Sequence, residues 1–151
     1  MLAVSLLGTV VTMKIATFAC CKSLMLLKSI GNLFVKTPEV DALQQLLFKT
    51  DIKKKIARTH KLICELALLT ELQESVLMAI RDLGEVIEHL NVLFEELLNL
   101  ESHHKQLYFH QWRTIDQKGN VDDISTYIDL FNLRFDDMLK MIQITDAVRT
   151  R

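Results

Sequence analysis

The chain has 151 residues, half of them hydrophobic and a quarter charged, with a net charge of −1. That length predicts one domain, residues 1–151, with a core of its own. The charged quarter excludes a polytopic membrane protein, and the near-neutral balance excludes the basic excess of a nucleic-acid module. Four glycines, one proline, abundant leucine and no sustained Val/Ile/Thr alternation predict an all-α fold, a helical bundle of about four to six helices.

The first predicted element covers residues 1–35. It carries three charges, Lys14, Lys22 and Lys28, and no acid precedes Glu39. At about 100° per residue, these lysines and Lys36 fall within roughly 120° of one another, and almost everything outside that arc is apolar. Such a helix suits a bundle interior with one wet edge, or an acyl-chain boundary where lysines reach lipid phosphates. A fixed span needs about 20 uninterrupted apolar residues, and the charge-free run stops at Met13. A cleaved signal peptide lacks its positive start here.

Helix one is predicted to end near Phe34. Thr37-Pro38-Glu39 then reads as N-cap, proline at the first helical position and an acid on the positive end of the dipole. Helix two follows to Lys49, with Val40, Leu43, Leu46 and Leu47 on one side. Thr50-Asp51 offers the next start. From Asp51 to Tyr108 apolar residues recur at three- and four-residue spacing, and a compact fold must bend this stretch back on itself. Thr70-Glu71-Leu72-Gln73 has capping-box spacing and Gly84 is a second candidate break. A bent pair and a protruding antiparallel helix pair both fit; the central helices occupy residues 38–110.

Late in the chain, Gly119-Asn120 reads as a turn, with Asn120 capping a C-terminal amphipathic helix over residues 121–148. Ile124, Ile128, Phe131, Phe135, Met138 and Ile142 form its core or interface seam, stepping by four and three. The last nine residues are polar enough to fray. Residues 1–61 hold ten Lys/Arg against three acids, and residues 62–102 hold one against nine. Basic and acidic helices packed side by side explain that split, as does a basic end that meets an anionic surface.

Chemistry is hard to place. Phosphate-cradling glycines, HExxH and a nucleophile elbow are absent. His103 and His110 share a helix face about 10 Å apart with Leu107 between them, so with His104 and Glu101 they form no metal set. Sequence-adjacent acids diverge by about 100° and make no catalytic dyad. Cys20, Cys21 and Cys64 are odd in number, which argues for reduced, buried thiols rather than a disulfide framework. The expectation is a non-enzymatic protein with no cofactor, no metal, no nucleic acid and no small-molecule substrate.

Ser5-Leu6-Leu7-Gly8 through Phe18-Ala19-Cys20-Cys21, and Trp112-Arg113-Thr114-Ile115-Asp116-Gln117-Lys118 followed by Ile124, Phe131 and Leu139, resemble the two ends of fungal HeLo domains. These are the helical domains of HET-S incompatibility proteins and of some STAND receptors. The broader four-helix membrane-killing domains of mixed-lineage-kinase-like pseudokinases share the plan. The resemblance implies a cytoplasmic cell-death bundle that oligomerises on activation and releases its first helix into an anionic membrane. Leu6, Leu7, Val10, Val11 and Phe18 would then enter lipid, Lys14, Lys22 and Lys28 would meet headgroups, and Lys53, Lys54, Lys55 and Arg58 would assist. Trp112 would join the C-terminal seam. The competing expectation is a soluble helical scaffold or adaptor that binds partner helices.

Overall fold

The structure, a computed structural model, describes residues 2–36, 41–68, 72–106 and 118–149. Five helices make it up: α1 (Leu2–Lys36), α2 (Asp41–Thr50), α3 (Ile52–Ala67), α4 (Glu74–Gln106) and α5 (Lys118–Arg149). Among the described residues there is no strand, and the fold is an all-α helical bundle. The expected cap at Thr37-Pro38-Glu39 and the segment Trp112–Gln117 lie outside the described residues.

Helices α1 and α4 form the centre of the bundle. α1 packs against both α3 and α4, while α4 also packs against α5. Cys20 faces Cys64 and Ser23 faces His60, so α1 and α3 run antiparallel. Phe18 and Ala19 lie against Gly84, and Lys22 meets Glu88 and Asn91, so α1 and α4 run parallel. α3, α1, α4 and α5 thus pack in that order, and the Lys55 ammonium, donating to Asn132 Oδ1 at 3.1 Å, adds a single polar link between α3 and α5. α3 and α4 therefore run in opposite directions, with α1 as a main partner of both, and they form no protruding stalk.

The core gathers Leu26 and Ile30 of α1, Leu47 of α2, Ile52, Ile56 and Ile63 of α3, the Val76-to-Leu97 stripe of α4, and the inward face of α5. Ile124, Ile128, Phe131 and Met138 are fully buried there, and Phe135 and Ile142 pack against them partly covered. The regular spacing of that stripe puts each residue about one turn along the same helix face.

Several boundaries differ from expectation. α5 begins at Lys118, so Gly119-Asn120 is its first turn and not a preceding loop. It continues to Arg149 through the polar end expected to fray, where the Thr145 hydroxyl back-bonds to the Met141 carbonyl at 2.8 Å. The long central stretch does break at the first of its two expected places. Leu68 caps α3, Leu72 and Gln73 lie outside any helix, and α4 starts at Glu74 with the Leu77 N–H donating to the Gln73 carbonyl. Gly84 does not break α4. It is buried in mid-helix, where a Cβ would come 3.2 Å from the Phe18 ring and 3.4 Å from Ala19 Cβ. Its missing side chain lets two parallel helices approach closely.

Helix α3 opens on an unusual residue. Asp51 has φ 51° and ψ 35°, the left-handed region, and makes no side-chain cap bond. That conformation turns the chain sharply from α2 into α3. The Asp51 N–H donates to the Phe48 carbonyl and the Lys55 N–H to the Asp51 carbonyl, both at 3.2 Å.

Candidate functional site at the seam of α1 and α3

Cys20 and Cys64 are joined by a disulfide, their Cα atoms 6.3 Å apart. This corrects the expectation of three reduced thiols, and helix geometry gives the reason. Adjacent residues diverge by about 100°, so Cys20 turns toward α3 while Cys21 faces solvent as a free thiol. An odd count leaves one cysteine over; it does not prevent the other two from pairing.

His60 completes the cluster, one turn before Cys64 on the same face of α3. Its Nε2 lies 3.7 Å from Cys64 Sγ, and its Nδ1 lies 3.7 Å from Cys20 Sγ. Nδ1 also sits 2.7 Å from the buried Ser23 hydroxyl and 3.1 Å from the Cys20 carbonyl. The Ser23 hydroxyl has one proton and donates it to the Cys20 carbonyl at 2.8 Å. Its oxygen must then accept, so the His60 Nδ1–H donates to it. Nε2 is left with its lone pair free, 3.7 Å from Cys64 Sγ. All three cluster side chains are partly buried, at the edge of the core.

The residues expected to meet a membrane are spread over several places. Along α1, Lys14, Phe18, Cys21, Met25, Lys28 and Asn32 recur every three or four residues and are all exposed. Leu24 stands beside that stripe, also exposed. Lys22 is partly covered, its ammonium 3.4 Å from a Glu88 oxygen and 5.6 Å from the centre of the Phe18 ring, a cation–π distance. The side chains of Leu6, Leu7, Val10 and Val11 lie outside those described. Lys53, Lys54 and Arg58 are exposed, whereas Lys55 is engaged with Asn132. Lys53 and Lys54 join Leu47, Asp51 and the exposed Phe48 around a shallow hollow at the α2–α3 corner.

Of the histidines considered for a metal, His103 is exposed, and the side chains of His104, His110 and Glu101 lie outside those described. The cluster that does form has a half-visible signal, the His60-to-Cys64 spacing of four. Its third member arrives from forty residues away and needed the fold to bring it in. No described helix is long and apolar enough to cross a membrane. No family model, curated protein or solved structure matches the chain.

Proposed function

We propose that this chain is a non-enzymatic, self-associating helical bundle that acts on anionic membrane surfaces, with α1 as the element that enters lipid. The observation carrying this reading is an apolar stripe left on the outer side of α1, even though Leu26 and Ile30 seat the same helix in the core. Between residues 16 and 25 the helix buries Ala16, Ala19 and Ser23 and leaves Phe18, Leu24 and Met25 exposed at 36%, 44% and 44%. A helix committed to a protein core turns its large apolar groups inward. Full burial of each such side chain is worth about 1.5–3 kcal/mol, and here the smaller part of that gain is left for another apolar phase. Lys14 and Lys28 lie on the same stripe, which supports the reading because lysines beside apolar residues can meet headgroup phosphates while those residues reach the acyl boundary. The HeLo-like pattern at the two ends of the chain points the same way.

The test is co-sedimentation and dye release with vesicles containing phosphatidylserine, against vesicles of phosphatidylcholine alone. Binding is expected on the anionic vesicles only, and Phe18→Ser with Met25→Ser, or Lys14→Glu with Lys28→Glu, should weaken it. Because a disulfide fastens α1 to α3, dye release should need a reductant. A chain that ignores anionic vesicles in both redox states ends this reading. Light scattering that then shows a stoichiometric dimer would leave the helical scaffold in its place.

A further inference from the structure

Cys20, His60 and Cys64 each offer one donor atom, and those atoms lie within 4.8 Å of one another. We propose that the reduced chain binds one zinc ion through Cys20 Sγ, Cys64 Sγ and His60 Nε2, with water in the fourth position. This stands independently of the membrane reading.

Three features carry it. Zinc bonds of about 2.3 Å to sulfur and 2.0–2.1 Å to nitrogen put the donors of a tetrahedral site about 3.5–3.8 Å apart. The Cys64 Sγ to His60 Nε2 distance is already 3.7 Å, and rotation about the two Cα–Cβ bonds lets the freed sulfurs separate. Second, the imidazole is set for the task. Its Nδ1–H is held by the Ser23 hydroxyl, beside the Cys20 carbonyl, which fixes the tautomer and presents Nε2 as a ligand, the usual supporting arrangement for a metal-bound histidine. Third, the donors are two thiolates and an imidazole, a set that suits zinc over magnesium or calcium. Partial exposure gives the ion a way in and leaves one position for water.

The chemistry balances. A phosphine reductant and water convert the disulfide into two thiols and a phosphine oxide. Each thiol then loses its proton as its sulfur bonds to zinc, so two protons leave per ion bound. α1 stays fastened to α3 in both states, by a sulfur–sulfur bond in one and through the metal in the other.

The full chain, reduced with a phosphine and stripped of metal, is titrated with zinc against a chromophoric chelator. Cobalt is used in parallel to read tetrahedral thiolate bands. One ion per chain is expected. Cys20→Ser and Cys64→Ser should abolish binding, Cys21→Ser should leave it unchanged, and Ser23→Ala should weaken it about 10-fold. His60→Ala should weaken it further than Ser23→Ala does. Circular dichroism checks that each variant stays helical. Without any variant, zinc should slow maleimide labelling of Cys20 and Cys64 but not of Cys21, read by mass spectrometry. Binding no tighter than in the Cys20→Ser/Cys64→Ser double variant, or binding unmoved by His60→Ala, overturns the proposal.

Discussion

A single absent methyl group sets how near α1 and α4 can come. Alanine at position 84 would gain about 0.5–1 kcal/mol in helix propensity but must push the Phe18 ring from 3.2 Å. That ring is one-third exposed and can turn outward. Gly84→Ala should therefore shift urea-unfolding stability by less than about 0.5 kcal/mol, whereas Gly84→Val should cost about 1–3 kcal/mol by wedging the pair apart. Asn91 makes the opposite case. It is 6% exposed; its Nδ2 donates to the Lys22 carbonyl at 2.9 Å, while its buried Oδ1 has no protein partner. Asn91→Leu should raise stability by about 1 kcal/mol, since an unmet buried acceptor carries a desolvation cost of that order. Neither residue announces this in the sequence. Gly84 reads equally well as a helix break, and Asn91 as one more polar position, because both roles depend on a helix more than sixty residues away.

At the scale of the element, α5 and α1 differ in how much of themselves they reveal. The 4-3 spacing of α5 identifies its inward face from residue types alone, and Ile124, Ile128, Phe131 and Met138 are indeed buried. Phe131→Ala should cost about 3–5 kcal/mol. Leu133→Ala, two residues on and 62% exposed, should stay within about 0.5 kcal/mol, both read from denaturant midpoints. For α1 periodicity says less. The lysine arc marks its wet edge, and Lys14 and Lys28 are exposed. The rest of the helix is apolar all round, so the inward turn of Ala16, Ala19 and Ser23 is visible only once α3 and α4 are in place. The Trp112–Lys118 pattern lies almost wholly outside the described residues.

For the molecule as a whole, the all-α class and a count of about four to six helices follow from proline and glycine scarcity and from apolar spacing, and the described residues form five helices. Which helices become neighbours does not, since the parallel α1–α4 pairing is a long-range outcome that local patterns do not encode. The Cys20–Cys64 bond is of the same kind. It links residues separated by 44 positions, and the loop-entropy account values such a closure at about 4 kcal/mol. Thermal unfolding should therefore move to lower temperature under reductant for the native chain and for Cys21→Ser, and should not move for Cys20→Ser/Cys64→Ser. The topology also sets a timetable for synthesis. Lys22 of α1 waits 69 residues for Asn91 of α4, roughly 3–14 seconds at ribosomal rates of about 5–20 residues per second. For the first part of that wait the apolar nascent helix has no long helix to pack on, and until α4 is made it has only α3. Any chaperone that binds apolar segments has its best access to it then, before the fold has had the chance to claim it.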